Sequence, residues 1–450
     1  MNRKHYLTAA FLLCANLTFG QEQANKTWSL QDCMDYAAEH NIQLQKSKLT
    51  EQQGELDLIQ KKAELFPSLS FSTTQTLTYR PLQESASNIV TDGIANSSTN
   101  KLTENGSYGL NASWNVWDGG INRKNIKNQR IQNQINQLNT QTTANSIQEQ
   151  IAQLYIQILY SIEAKKVNEE LLQTAESQFK RGQEMYNEGQ ISKADLTQLE
   201  AQVSSNQYDI VATQSQISNY TRQLKELLEI DGTQDFQISD LSLDESSALA
   251  PIPNEAEVYE SALASRPEIQ ASKLNIETAN LNIDIAKAGY YPSISINAGI
   301  GDSHYSGSRE SGAEQLKQNL NASLGLTLSV PIFDNKRNQT NVKKAKLNKL
   351  DSELDLKNQQ KELYSTIDEY WVNANSSQQS FIAATAKVKS SEASYELLNE
   401  QFKNGLKNIV ELMTGRDQLL TAKQDQLQSK YTTILNIQLL KFYKGEPVNL

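Results

Sequence analysis

The sequence predicts a mainly α protein with membrane-type β-strands, built from a helix-strand-strand-helix-helix unit that occurs twice. Three observations carry this prediction. First, residues 63–70 (AELFPSLS) reappear as 288–295 (AGYYPSIS), and 37–44 (AAEHNIQL) as 262–269 (ALASRPEI), both at a shift of 225 positions. Downstream the shift is 216: Trp117-Asp118-Gly119 lies over Phe333-Asp334-Asn335, and Tyr186-Asn187-Glu188-Gly189 over Phe402-Lys403-Asn404-Gly405. The change in shift falls between Pro67 and Trp117, in a loop, as expected of a duplicated structural unit. Second, breakers are scarce, with 8 Pro and 19 Gly in 450 residues, which leaves long uninterrupted helices. Third, between the helices the apolar period drops to two.

The N-terminus carries Asn2-Arg3-Lys4-His5, then the apolar residues 6–13, then a small residue, Gly20, before Gln21. This pattern predicts a cleaved secretory signal over 1–20, too short to span a bilayer. Cys14 raises lipoprotein processing, but Leu12-Leu13 lack the small residue of a lipobox, so cleavage near Gly20 is expected. Cys33 then remains alone, a buried structural residue without a disulfide partner. A net charge of −10 without a basic cluster argues against nucleic acid.

The first repeat is expected over 21–229 and the second over 254–450. Each opens on an amphipathic helical stretch, 28–64 and 254–289, with a break at Pro267 and another near Asn41. Pro67 and Pro292 stop both stretches. Strands follow at about 67–79 and 106–117, and at about 292–303 and 321–333. Leu69, Phe71, Leu77 and Tyr79 share one face, against Ser70, Ser72, Thr74, Thr76 and Thr78 on the other. The return strands alternate as Tyr108, Leu110, Ala112, Trp114 and Val116, and as Leu324, Leu326, Leu328, Val330 and Ile332. Such alternation suits any half-buried sheet. A length of about 10–12 residues, terminal aromatics and long polar loops (80–105, 304–319) favour a membrane barrel.

Residues 118–188 and 334–404 are the longest expected elements, each about 70 residues without a proline and roughly 105 Å long as a helix. Ile147, Ile151, Leu154 and Ile158 repeat at coiled-coil spacing, continued by Leu363, Ile367 and Tyr370 in the second copy. Gly189 and Gly405 end these helices, and shorter ones return over 192–229 and 408–441. Segment 230–253, with Asp231-Gly232, Pro251 and Pro253, reads as an equatorial connection between the repeats.

Four strands cannot close on themselves, and open edges are not tolerated in hydrocarbon. Two chains would supply eight strands with a filled interior; three would supply twelve, enough for an open lumen. No phosphate loop, metal-spaced cluster or nucleophile motif is found, so neither catalysis nor a cofactor is expected.

In order and spacing, AAEHNIQL and ALASRPEI, FPSLS and YPSIS, WNVWDGG and VPIFDNK, and YNEGQISKADL and FKNGLKNIVEL resemble the TolC/OprM outer-membrane efflux family, over essentially the whole mature chain. The resemblance implies a homotrimeric channel-tunnel: a 12-stranded β-barrel in outer-membrane lipid that continues into a periplasmic α-helical barrel. Its implied partners are a periplasmic adaptor and an inner-membrane RND or ABC transporter, for multidrug efflux or type I secretion. The alternative class is an exported coiled-coil structural or adhesive protein without a pore.

The resemblance also implies site residues. Gly189, Gln190, Ile191 and Ser192, with Gly405 and Leu406, match tips that meet the adaptor, although both glycines equally suit a left-handed helix end. Gln190 stands where the family often has Leu. Glu411 matches a carboxylate ring at the closed entrance, with Thr414 in place of a second acid; a solvated helix charge is the plain alternative. Lys407 and Asp195 match a pair that ties the hairpins together, and Phe402 replaces a phenolic partner of that latch. Tyr79, Tyr108, Trp114 and Trp117, with Tyr290 and Tyr291, are candidates for an interfacial girdle.

Overall fold

Both halves of the chain share the succession of two helices, two long strands and two further helices, with different small elements between them. The first runs β1 (Thr27–Trp28), α1 (Leu30–His40), α2 (Ile42–Ala63), β2 (Ser68–Tyr79), β3 (Ser87–Thr91), β4 (Ile94–Ser98), β5 (Leu102–Trp117), α3 (Ile121–Asn187) and α4 (Lys193–Leu227). A connection follows with β6 (Gln237–Ile238) and α5 (Glu245–Ala248). The second half runs α6 (Glu255–Ser265), α7 (Pro267–Ala288), β7 (Ser293–Tyr305), α8 (Gly312–Asn319), β8 (Asn321–Ser329), α9 (Arg337–Lys403) and α10 (Ile409–Lys444). This computed structural model describes residues 27–82, 101–239, 243–306, 308 and 310–449 in full, and the backbone of 87–91 and 94–98. The expected signal segment and Cys14 lie outside the described residues.

Matching helices have matching lengths: 11 residues for α1 and α6, 22 for α2 and α7, 67 for α3 and α9. The breaks fall at equivalent positions but have different causes. Arg266 precedes Pro267 and takes the extended conformation that proline imposes on its neighbour (φ −67°, ψ 129°). Asn41 adopts nearly the same angles without a proline (φ −61°, ψ 123°). Its Oδ1 accepts from the Leu44 N–H at 3.1 Å, and its Nδ2 donates to the Leu227 carbonyl at 2.9 Å. The turns into the long helices correspond as well. Asp118 accepts from the Asn122 N–H and Asp334 from the Asn338 N–H. Where the first turn uses Gly119 and Gly120 at positive φ, the second forces Asn335 (54°) and Lys336 (65°) into that region.

The chain forms two units. One, spanning 50–136 and 272–355, holds an antiparallel sheet in the order β2-β5-β7-β8. β5 starts at Leu102 rather than near 106, because Leu102–Asn105 pair with Thr76–Tyr79 at the far end of β2. β8 stops at Ser329 rather than 333, since Pro331 cannot donate to a ladder. The regions read as loops contain structure: β3 pairs with β4, and α8 is capped by Ser311 and Glu314.

The other unit, over 27–49, 137–271 and 356–449 of the described chain, holds the main helical core. Ile147, Ile151 and Ile158 are buried, with Leu154 packed against them, and so are Leu363, Ile367 and Cys33. The equatorial connection pairs β6 with β1 in parallel, and the Tyr155 hydroxyl donates to the Trp28 carbonyl at 3.1 Å. Glu149 on α3 accepts from Tyr370 on α9 and Tyr443 on α10. Burial and this carboxylate push the Tyr370 phenol well above its ordinary range. The Arg266 guanidinium lies 4.2 Å over the Tyr443 ring.

Candidate functional site

The sheet register gathers the apolar residues onto one face. Successive cross-strand rows read Trp114–Ile296–Leu326, then Leu69–Ala112–Ala298–Leu324, then Phe71–Leu110–Ile300–Ala322. The opposite face presents Ser70–Asn111–Gly299–Ser323 and its neighbours. Antiparallel sheets of soluble proteins bury their apolar face, yet here Leu69 is 70% exposed, Phe71 67%, Leu324 80% and Leu326 72%. β2 and β8 are the outer strands of the sheet, each with one edge unpaired among the described residues.

Aromatics flank this face. Trp114, Trp117, Tyr290 and Tyr291 lie at the helix end, while Tyr79 and Tyr108 lie towards the loops; all six are at least 36% exposed. Strict alternation would turn Trp117 away from Trp114. A register shift between Asn115 and Trp117 instead sets Trp117 opposite Ile294, on the apolar side. From Ile294 to Asp302, which pairs with Tyr108, the band spans about 27 Å along the strand. At the tilt of about 40° typical of barrel strands, that length would give roughly 20 Å of height, close to the apolar band of outer-membrane barrels.

At the other ends of α3 and α9, both tips close in the same way. Gly189 (φ 76°) and Gly405 (φ 68°) take left-handed conformations. The next N–H reaches five residues back, Gln190 to Met185 and Leu406 to Gln401, the bond pattern of a Schellman turn. Capping boxes then start the return helices, Ser192 with Asp195 and Asn408 with Glu411. Asp195 thus accepts from the Ser192 hydroxyl and N–H, while Lys407 pairs with Glu411. Within the single chain Lys407 thus pairs with Glu411, its neighbour one helical turn on. The Lys407 bond, followed by the Asn408 N–H, holds the Glu411 carboxyl below its usual range. Leu406 is 73% exposed, whereas Ile191 packs on the tip core. Phe402 is buried in that core with Met185, Leu199 and Leu412, so packing accounts for its aromatic ring.

A polar cluster above the tips escaped the sequence reading. Arg416 and Asn206 are buried together, and Gln178 donates to the Tyr395 hydroxyl at 2.7 Å and to Asn399 at 3.2 Å. The signal was present in the sequence: Arg416 interrupts the stripe Ile409, Leu412, Leu419 at heptad spacing.

Comparison with known proteins agrees with this geometry. The family described as "Outer membrane efflux protein" matches residues 34–229 and 258–445. The chain is 24% identical over 294 residues to outer membrane protein TolC of Escherichia coli K12, covering 63% of this chain and 58% of that protein. The chain thus spans under two thirds of the length of the TolC relatives it matches. It is 21% identical over 339 residues to the cation efflux system protein CusC of the same organism, covering 73% and 70%. A crystal structure of CusC superposes with a TM-score of 0.77 at 17% identity, over 95% of this chain and 96% of that one. The chain belongs to the outer membrane efflux protein family.

Proposed function

We propose that three copies assemble through their β2 and β8 edges into a 12-stranded barrel in the outer membrane. The barrel would continue into a periplasmic helical tunnel that exports cargo without catalysis of its own. The uncovered apolar sheet with two unpaired edges carries this reading: lipid and neighbouring copies are the partners that such a surface and such edges need. The repeated helix-strand-strand-helix-helix unit would give the trimer walls of near-sixfold character. The tip turns 189–192 and 405–406 would face a periplasmic adaptor that delivers cargo from an inner-membrane transporter. Glu411, paired with Lys407, would line the closed entrance. A pore-less coiled-coil surface protein would leave the apolar sheet facing water.

Membrane fractions and planar bilayers test the reading. Heat-modifiable trimers that conduct are the expected result; a protein released by salt and without conductance overturns it.

A further inference from the structure

The overall charge of −10 conceals two basic stretches, which corrects the expectation that the chain has no basic cluster. Residues 119–148 contain Arg123, Lys124, Lys127 and Arg130 and no acid; residues 335–350 contain Lys336, Arg337, Lys343, Lys344, Lys346 and Lys349 and no acid. Both stretches begin where the chain leaves the sheet for α3 and α9. Lys127 pairs with Glu277, Lys349 with Glu353, and Lys124 donates to the Asp284 carbonyl. Among the described residues no carboxylate pairs with the other seven.

These seven cations are displayed outward. Arg123 and Arg130 recur at i and i+7, with the paired Lys127 at i+4 between them, on one exposed ridge of α3. Arg337, Lys343, Lys344 and Lys346 are all exposed and share about half the circumference of α9, away from buried Asn338. Local folding does not account for them. The helix dipole disfavours cations near an N-terminus, and Lys336 occupies a left-handed position where the first copy has Gly120.

We propose that these residues form a basic collar that binds anionic phospholipid headgroups on the side of the membrane from which the long helices leave. The inference rests on the membrane reading of the sheet. Trp114 and Trp117 end the apolar face on this same side, at the level that aromatics mark as the interface. Arg130 and Lys346 each lie nine residues into their helix, about 14 Å from its start. The collar therefore fits within a headgroup layer of roughly 5–8 Å and one screening length of about 8 Å beyond it. Charge complementarity names the occupant: a negatively charged lipid surface attracts such clusters, each cation contributing about a fivefold gain in binding.

The test uses the full chain in nanodiscs of equimolar phosphatidylglycerol and phosphatidylethanolamine. After mild detergent extraction, the co-purifying lipids are quantified by mass spectrometry. The protein should retain phosphatidylglycerol at least about fivefold over phosphatidylethanolamine, and raised salt should erase the preference. Joint substitution Arg123→Gln, Arg130→Gln, Lys343→Gln, Lys344→Gln and Lys346→Gln should abolish it with helicity unchanged. Arginine at the three lysine positions should keep it. Equal retention by the native and glutamine proteins overturns the collar. So does unchanged lipid retention with an altered reversal potential in bilayers, which would place the cations along the conduction path. Failure to enter nanodiscs at all overturns the membrane reading, and this proposal with it.

Discussion

The Arg416 guanidinium and the Asn206 carboxamide, 210 residues apart in sequence, meet inside the helical bundle above the tips. Arg416 Nη2 donates to Asn206 Oδ1, and Asn206 Nδ2 donates to the Leu171 carbonyl at 3.1 Å, so one polar chain joins α10, α4 and α3. Arg416 Nη1 donates to Asp417 at 3.1 Å, Nε has no acceptor among the described residues, and burial pushes the guanidinium pKa down. Asn206→Leu strips an acceptor from Nη2 of a cation that stays buried and keeps only Asp417, and should cost about 3 kcal/mol. Arg416→Met removes the cation itself and should cost only about 1–3 kcal/mol. The double variant should be milder than Asn206→Leu alone. Amide exchange in α4 and α10 reads the order, about tenfold faster per 1.4 kcal/mol; a double variant that is the worst of the three contradicts it.

On the proposed reading, in which Glu411 would line the entrance, its pairing with Lys407 would change what that entrance selects. A bare carboxylate ring would favour cations, but in the proposed trimer Lys407 would offset each Glu411 carboxylate. Lys407→Ala should therefore raise cation preference, and Glu411→Gln should turn it towards anions, both measured as reversal potentials. The pH dependence has a definite sign. Because the folded carboxyl pKa is depressed, the pair is fully present above the ordinary glutamate value near 4.3 and is lost as pH falls through the depressed value. Conductance that shifts between pH 6 and 8 would assign the gate to other groups.

The turns into α3 and α9 make a matched comparison. A Cβ on Gly119 would sit 2.8 Å from the Ala288 carbonyl oxygen at φ 72°, whereas Gly120 has open space at φ 84°. Gly119→Ala should destabilise by more than about 2 kcal/mol, and Gly120→Ala by about 1 kcal/mol. Lys336→Gly should stabilise by up to about 1 kcal/mol. Denaturant midpoints decide the ranking.

Gln315 holds α8 against β7. Its side chain accepts from the Tyr305 N–H at 2.8 Å and donates to the Tyr305 and Glu310 carbonyls, both at 3.1 Å. Gln315→Ala should cost about 1–3 kcal/mol locally, seen as faster exchange over 312–319 with the β7–β8 ladder unchanged.

Repetition made most of the architecture legible. Pro67, Pro267 and Pro292, and the glycines at 189 and 405, punctuate the sequence where the helices end. What stayed hidden was set by pairing rather than by pattern. The register shift that brings Trp117 to the apolar side depends on β7, and the two-residue partnership of β1 with β6 is too short to leave a period. α8 holds only eight residues, too few for a clear helical signal. At the tips, the pairing of Lys407 with Glu411 stayed hidden, because an i,i+4 contact between neighbours competes with any distant link. Arg416 was overlooked because a charge in an apolar stripe reads as noise until its acceptor is known.

The Schellman turns and capping boxes have a consequence for any protein that meets the tips. The peptide groups at each reversal already hold partners within the chain: Gly189, Gln190, Ser192 and Asp195 in one, Gly405, Leu406, Asn408 and Glu411 in the other. A visitor therefore finds few free amides with which to extend a strand or cradle an anion. Recognition must fall to side chains, and the two tips differ there, with a bare leucine at 406 and an amide at 190. Two reversals with the same backbone thus offer different handholds, and a partner that grips both must itself be asymmetric or bind them with unequal strength.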